Sequence, residues 1–507
     1  MSRLTNEAPL TVDRPDLVHR VREVLDLVGF DEKHIYERFG VGEQGQLTLG
    51  PLDRPRLCWR TRDNDPLSTF LRLFLVEVPV ELGHFRRAVA PMDPADWANL
   101  GLVTLDGATV RGAVAMRASG KLLIAHDCSM PEGGKRPDYV LGVTGSTLTL
   151  CGLTVRRPSR RTLDLGAGSG FQALTAGPRS EHVVGTDRNS RAVAIARFNA
   201  PLNGITNVDF VEGDLFEPVS DHQFDLIVSN PPFVISPENR LQYRDSGFRG
   251  DEICERIVLA GPKHLAEGGY LQVLCNWVHD PGEGWRERLL GWIDGSGCDA
   301  QIIHNGTNTI DVYANHWLRQ TEISAEGGFT EAFHRWIAYY EQLGIEVIGS
   351  GLITLRRRSG SANWIRFETD RQRNHPNGMA ILATFAAQDL LDRIGDNSQD
   401  LLALKLRCRP ELRVLQRLEP ADPGWVVEKA QCLLGKDLEF VGRLDPAAFH
   451  LLTLCRGHQP LSAVLAQVAA RTGQNLEEVL PASLDLVRSL ISQGFLWPVD
   501  QDELANG

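Results

Sequence analysis

From residue 161 onward the chain alternates short apolar runs with helix-forming stretches, and the first run stops at the turn Asp164-Leu165-Gly166-Ala167-Gly168-Ser169-Gly170. Strands alternating with helices are the signature of a parallel sheet wound by crossover helices. Thr162 to Leu165 reads as the first strand, with a helix from Phe171. His182 to Thr186 is the second strand, followed by a helix through Ala192, Ala194 and Ala196. Val208 to Val211 and Phe224 to Val228 are the third and fourth strands. Glu252 to Ala266 then reads as a helix and Gly269 to Asn276 as the fifth strand.

The flanks read differently. Residues 13–110 are expected to be mainly helical, with Leu17, Val21, Val24, Leu25 and Val28 at helical spacing and a second apolar patch at Phe70, Leu71, Leu73, Phe74 and Leu75. Asp106-Gly107 between Leu102 to Leu105 and Val110 to Met116 predicts a hairpin, and helices followed by a hairpin resemble a small winged-helix module. Lys121 to Ala125, Tyr139 to Val143 and Ser146 to Leu150 read as strands. Further on, strands are expected at Ala300 to Ile303, Thr309 to Ala314, Ile345 to Arg357 and Trp364 to Glu368, with a helix over Phe329 to Gln342. The Arg371 to Gly378 stretch reads as a linker or surface loop. Three helices and a short strand, ending near Trp497, close a C-terminal unit that resembles a winged-helix or peptide-binding module. The expected division is a helical module over 1–110, an α/β domain over 111–370 and a helical module over 371–507.

Composition excludes several classes. At 507 residues the chain exceeds one ordinary core, and 42% hydrophobic with 23% charged residues is that of a folded globular protein. A net charge of −12 argues against an overall nucleic-acid-binding surface, so such binding would need a local basic patch. Nine scattered cysteines without a CxxC pair suggest no zinc site and no disulfide framework, and hence reduced thiols in a cytoplasm. The N-terminus lacks a signal-peptide core, and no apolar run approaches the roughly 20 residues that cross a bilayer. The expectation is a cytoplasmic protein with neither a membrane nor a metal partner.

A glycine-rich turn between a strand and its helix lets backbone approach a ligand closely. Asp187, at the end of the second strand, is placed to accept from two ribose hydroxyls, and Asp214, after the third, from an adenine amino group. The fourth strand runs into Asn230-Pro231-Pro232-Phe233. An amide or aryl amino nitrogen is a poor nucleophile because its lone pair is delocalised, and two acceptors on its two hydrogens favour the reactive pyramidal geometry. The Asn230 side-chain carbonyl and the Pro231 backbone carbonyl can supply them, pre-aimed by the X-Pro restriction. Phe233 offers a flat face for a planar acceptor.

The order of strand, DxGxGxG turn, two acids and NPPF resembles the class I S-adenosylmethionine (SAM)-dependent methyltransferases over about residues 135–280. The NPPF form resembles the branch that methylates planar nitrogens: HemK-like glutamine methyltransferases of release factors, guanine-N2 rRNA methyltransferases and adenine-N6 methyltransferases. The resemblance implies a Rossmann-like, seven-stranded α/β core and SAM as cofactor. It implies that Asp164, Gly166, Ala167, Gly168 and Gly170 shape the methionine end of the pocket, that Asp187 serves the ribose, and that Asp214 with Leu215 serves the adenine, Asn230 bordering the cofactor. Asn230, Pro231 and Phe233 are the expected catalytic residues. The segment Arg244 to Asp251 resembles, loosely, the glycine-containing segment after NPPY in the HemK-like enzymes.

The expected substrate is a macromolecule, a protein glutamine slightly ahead of an RNA or DNA base. Two readings from other classes stay open: a non-catalytic SAM-binding scaffold, and an NAD-dependent oxidoreductase, which explains the glycines but not NPPF. The basic clusters Arg156-Arg157-Arg160-Arg161, Arg356-Arg357-Arg358 and Lys405-Arg407-Arg409-Arg413 are read as salt-bridged faces rather than a nucleic-acid track. His304, His316 and His334 are read as structural, and Trp336, Tyr339 and Tyr340 as core.

Overall fold

The computed structural model describes residues 10–41, 53–129, 136–279, 284–321, 328–360, 362–369, 378–410, 412–422, 424–434, 442–443 and 446–499. Most of the expected linker, 371–377, lies outside them. The chain forms two compact units, one over 1–150 and 158–368 and the other over 151–157 and 369–507.

The centre of the first unit is a sheet of eight strands: β1 Ser159–Leu165, β2 Ser180–Asp187, β3 Val208–Glu212, β4 Phe224–Ser229, β5 Leu265–Val278, β6 Cys298–Thr309, β7 Val347–Arg357 and β8 Ile365–Thr369. Its order is β3-β2-β1-β4-β5-β7-β6-β8. Pairing is parallel from β3 through β5, and β7 runs antiparallel to both β5 and β6. Seven of these strands are the expected core, and β8 extends it at the β6 edge, where Trp364 O accepts from Ala300 N at 2.8 Å. The parallel strands carry near-continuous apolar runs because helices cover both faces. Leu163, Phe224, Ile227, Leu271, Val273 and Ile353 lie in one buried cluster. The strand order reverses between β1 and β4, which places a crevice at their carboxyl ends.

The helices that frame the crevice are α1 Gly145–Leu153, α2 Phe171–Ala176, α3 Ser190–Leu202 and α4 Glu252–Ala260. Four local expectations are corrected. Ser146 to Leu150 is helix rather than strand, because Thr144 caps it: Thr147 N donates to Thr144 Oγ1 at 3.3 Å and Thr144 N to Thr147 Oγ1 at 3.2 Å. Tyr139 to Val143 is irregular chain, held by Val140 N donating to the Asp127 carboxylate at 2.9 Å. Thr309 to Ala314 is mostly the start of a helix, Ile310–Thr321, since Tyr313, Ala314 and Leu318 share its buried face. The helix expected to reach Ala266 stops at Ala260, where Gly261-Pro262 turns the chain into a short 3₁₀ segment before β5.

The N-terminal residues contribute helices Pro15–Leu27, Glu32–Phe39, Arg54–Arg60, Pro66–Phe74, Leu82–Val89 and Pro94–Asn99, and the expected hairpin Val103–Asp106 with Thr109–Gly112, joined at its edge by Val80–Glu81. Phe30, Phe70, Phe74, Phe85 and Trp97 form an aromatic nucleus, with Phe70 stacked on Trp97 at 5.2 Å. That core continues into Ile195, Phe198 and Leu202 of α3. A second hairpin, Ala115–Ser119 with Leu122–His126, leans on the same helix. Asn199 accepts from Ala125 N at 2.9 Å and donates to Ala125 O at 3.0 Å. Asn203, one turn on, accepts from Leu123 N at 2.9 Å and donates to Leu123 O at 2.8 Å. Two asparagines at i and i+4 thus stand in for a neighbouring strand.

In the second unit, helices Gly378–Ile394, Ser398–Ala403, Pro446–Leu454, Leu461–Thr472 and Leu476–Ser492 bury Leu390, Leu451, Leu461, Val487 and Trp497. The expected last strand, Leu496–Pro498, pairs with Leu406–Cys408. A hairpin of Leu412–Pro420 with Trp425–Leu434 has no counterpart in the sequence reading. Among the described residues, no helix is long and apolar enough to cross a membrane.

Asp127 and Arg191 form a buried pair, both side chains about a tenth exposed, with Nη2 to Oδ1 at 2.5 Å. Removing one partner of such a pair leaves an uncompensated buried charge. Arg191→Met is expected to lower the unfolding free energy in urea by about 3 kcal/mol, and adding Asp127→Asn, which removes the charge and keeps an acceptor for Val140 N, to recover most of it. Equal losses in the single and double variants would show that packing, not charge, sets the cost.

Candidate functional site

The ends of β1 and β4 are in register, Leu165 opposite Ser229 and Asp164 opposite Val228. Ser229 Oγ donates to Leu165 O at 2.7 Å in the buried interior. The next residues on each strand, Gly166 and Asn230, therefore leave the sheet side by side. They open onto one cavity of about 530 Å³, lined among others by Asp164, Gly166, Ala167, Gly168, Asp187, Asp214, Leu215, Asn230, Pro231 and Phe233.

The glycine turn is shaped by its hydrogen bonds. Thr186 O accepts from both Gly166 N and Ala167 N, at 2.8 and 2.9 Å. Gly166 and Gly168 have φ of 78° and 54°, and a Cβ at either would meet nothing within 4 Å, so both face the open cavity. Gly170 is not on its wall. A Cβ there would stand 2.8 Å from Phe210 Cζ, which makes this glycine a packing requirement of α2 against β3 and α3.

Asp187 is half-buried and its carboxylate takes one backbone N–H on each oxygen, from Gly168 at 2.8 Å and Asn189 at 2.9 Å. Each oxygen keeps a further acceptor position. Burial raises its pKa, against the lowering effect of those N–H groups. Asp164 is 1% exposed, and burial pushes its carboxyl up to about 7; the Ala173 N–H at 2.9 Å opposes the rise and the Asp187 charge adds to it. Asp214 is exposed, on the turn after β3, and Leu215 holds a left-handed φ of 45° with its carbonyl accepting from Thr186 Oγ1.

At the other wall, Pro231 O accepts from Phe233 N at 2.7 Å, closing a tight three-residue turn around Pro232. Phe233 meets Trp317 edge-on at 6.1 Å. Asn230 Nδ2 donates to Ser146 Oγ at 3.3 Å, whereas Asn230 Oδ1 is buried and has no hydrogen-bond partner among the described residues. Gln242 Oε1, also on this wall, is buried and unpaired in the same sense. Such oxygens cost roughly 1–3 kcal/mol each.

All the expected site residues except Gly170 meet at this cavity. Sequence reading missed Ser146, Thr147, Gln172, Gln242, Tyr243 and Trp317 on its wall, and took His316, which also lines it, as structural. The Thr144-x-x-Thr147 spacing carried a cap signal for α1. The segment Arg244 to Asp251 is anchored by the buried Arg244–Asp245 pair at 2.7 Å. Burial disfavours the Asp245 charge, but Arg244 and the Leu241 N–H outweigh it and hold the carboxyl below its ordinary range. Arg356 and Arg358 both bind Asp299, at 2.6 and 3.1 Å, as a salt-bridged face does. Trp336 and Tyr340 are fully buried.

Because the Asp164 carboxyl rises to about 7 in the folded protein, that state binds more protons than the unfolded chain from about pH 4 up to pH 7. Stability therefore falls as pH rises through this window, with the full penalty, about 4 kcal/mol, present above it. Asp164→Asn keeps an acceptor for Ala173 N and cannot ionise. Its unfolding free energy, measured in denaturant at pH 5 and pH 8, is expected to lack this fall; the same pH slope in both proteins would exclude Asp164 as its source.

A family model described as methyltransferase small domain matches residues 143–280, and two domains of unknown function match 55–113 and 383–498. The release factor glutamine methyltransferases of Geobacter sulfurreducens and Xylella fastidiosa are each 38% identical, over 27% and 26% of this chain and 51% of their own lengths. The chain thus spans about half the length of these relatives. The ribosomal protein uL3 glutamine methyltransferase of Xanthomonas campestris is 34% identical over 50% of this chain and 78% of its own length. With its sheet order, its glycine turn and NPPF at the switch point, the chain belongs to the class I SAM-dependent methyltransferases, in the small-domain branch that contains the glutamine N-methyltransferases.

Proposed function

We propose that this protein is a SAM-dependent N-methyltransferase whose acceptor is the side-chain amide of a protein glutamine. The observation that carries the reading is the buried Asn230 Oδ1, an acceptor without a donor on the cavity wall. A planar NH₂ group supplies that donor. The relatives named for glutamine methylation favour an amide over a nucleobase.

The cofactor fits the residues present: Gly166 and Gly168 leave their Cβ positions open, and Asp164 and Asp187 offer acceptors for a cationic, ribose-bearing ligand. SAM supplies an electrophilic methyl on a sulfonium, and the transfer is an in-line displacement. Asp187 binds the ribose, and Asp214 with Leu215 borders the adenine. Asp164 and the turn Gly166-Ala167-Gly168 border the methionine end. Asn230 Oδ1 accepts one N–H of the substrate amide. The Pro231 carbonyl, which already holds Phe233 N, accepts the other through its second lone pair. Phe233, braced by Trp317, presents its face to the amide plane. The S–CH₃ bond would break as the N–C bond forms, S-adenosylhomocysteine leaving as a neutral thioether, and the cationic nitrogen would then lose its proton to solvent, so no strong base is needed. The modules at 1–110 and 371–507 flank the catalytic domain over 111–370 and serve recognition of a macromolecule.

The test is transfer of labelled methyl from SAM into a lysate of the source organism, resolved by protease and nuclease treatment. Protease-sensitive label on glutamine is expected. Nuclease-sensitive label would replace the amide with an RNA or DNA base, and S-adenosylhomocysteine binding without any transfer would leave a scaffold. Asn230→Ala is expected to reduce the transfer rate by about 10²–10³-fold with a far smaller change in S-adenosylhomocysteine affinity by calorimetry.

A further inference from the structure

A side-chain amide has nearly the same shape whichever way it is turned, yet only one orientation of Asn230 presents its carbonyl to a substrate nitrogen. The other presents Nδ2 and repels an N–H donor. The Asn-Pro-Pro sequence fixes the backbone here and leaves this choice open. Something outside the motif must make it.

That group is on α1. Asn230 Nδ2 points to Ser146 Oγ at 3.3 Å, from a residue 84 positions earlier in the chain. Ser146 Oγ lies 3.0 Å from Thr144 Oγ1, which lies 2.9 Å from Thr147 Oγ1. A serine hydroxyl has one proton. The Ser146–Thr144 hydroxyl pair admits either donor; with Ser146 donating to Thr144 Oγ1, the Ser146 oxygen is left as an acceptor, and Nδ2 is the half of the Asn230 amide that satisfies it. The Thr144–Thr147 cap fixes the first turn of α1 and with it the Ser146 side chain. Asn230 Oδ1 is consequently turned away from α1, buried and unpaired.

We propose that Ser146 is a positioning residue: through Thr144 it acts as a pure acceptor, locks the Asn230 amide, and aims Oδ1 at the methyl-acceptor nitrogen. Ser146 touches Asn230, not the reacting atoms. The consequence for methyl transfer rests on the reading given under Proposed function; the hydrogen bond itself does not.

Two measurements separate them. In protein labelled with ¹⁵N-asparagine, the Asn230 side-chain NH₂ signal is identified by its loss in Asn230→Ala. Its solvent exchange is expected to be about tenfold faster in Ser146→Ala and near wild type in Ser146→Thr, which keeps the hydroxyl. Unchanged exchange in Ser146→Ala would overturn the proposal, whatever the substrate proves to be. In methyl transfer to a synthetic peptide carrying one internal glutamine, Ser146→Ala is expected to lower kcat about tenfold, with S-adenosylhomocysteine affinity unchanged and rescue by Ser146→Thr. Loss of cofactor affinity in parallel with kcat would make Ser146 part of the cofactor wall and overturn a positioning role. If wild type transfers nothing to any glutamine, the amide reading fails, while the exchange experiment still decides for or against Ser146.

Discussion

The pairing of β1 with β4 is the constraint on which the site depends. Leu165 faces Ser229 across a parallel ladder, and the serine hydroxyl ties the two strand ends together. A slip of one residue would turn every side chain of β4 to the opposite face and carry Asn230 with it. Since Leu163, Leu226, Ile227 and Val228 are all buried, such a slip is expensive on either face of the sheet. The glycine turn and Asn-Pro-Pro are far apart in sequence, and this register alone makes them neighbours. The chemistry of the crevice is thus a consequence of core packing several residues behind it.

The opposite wall is built by a different device. Residues 139–147 cross the cavity without belonging to the sheet, so their position has to be imposed from elsewhere. Helix α3 imposes it. Asn199 and Asn203 hold the edge of the hairpin Ala115–Ser119/Leu122–His126. Arg191, on the same helix, holds Asp127 immediately beyond, and Asp127 holds Val140 N. Asn189, its N-cap, also donates to Asp138 O at 3.0 Å. One helix that starts beside Asp187 on the cavity wall therefore sets both the N-terminal hairpin and the chain that leads into α1.

What could be read in advance and what could not follow from this division. The glycine turn, Asp187 and Asn-Pro-Pro were legible because each is a local solution at a strand end, written in consecutive residues. The doubly wound sheet was legible from the alternation of apolar strands and helices. Tyr139 to Val143 was not, since an apolar run looks like a strand until one knows that its partner is the Asp127 side chain. The Ser146 to Leu150 error was avoidable, for the Thr144–Thr147 cap lies in the sequence. The wall residues Gln242, His316 and Trp317 carry no local signal. They arrive by tertiary folding of segments that follow β4 and β6. The hairpin over Leu412–Leu434 exposes Leu415, Trp425 and Val427, so its apolar residues mark no core and its strand pattern is weak.

The protein alone holds this crevice in an unfavourable state, and that bears on how it works. A carboxyl buried at Asp164 close to the acid at Asp187, and a carbonyl buried at Asn230 without a donor, each cost free energy that packing elsewhere has to offset. A cationic ligand on the acid side relieves the first cost, and an NH₂ group on the Asn230 side relieves the second. The two reliefs are independent in chemistry but adjoin in space, because Asn230 leaves β4 two register positions beyond Val228, the residue that faces Asp164 on the neighbouring strand. Groups already desolvated and already aimed need no reorganisation when charge shifts beside them, which is the form of stabilisation that raises rate rather than mere affinity. Strain at the strand ends is in this sense the part of the fold that is specific to methyl transfer, whereas the sheet that bears it is common to many chemistries.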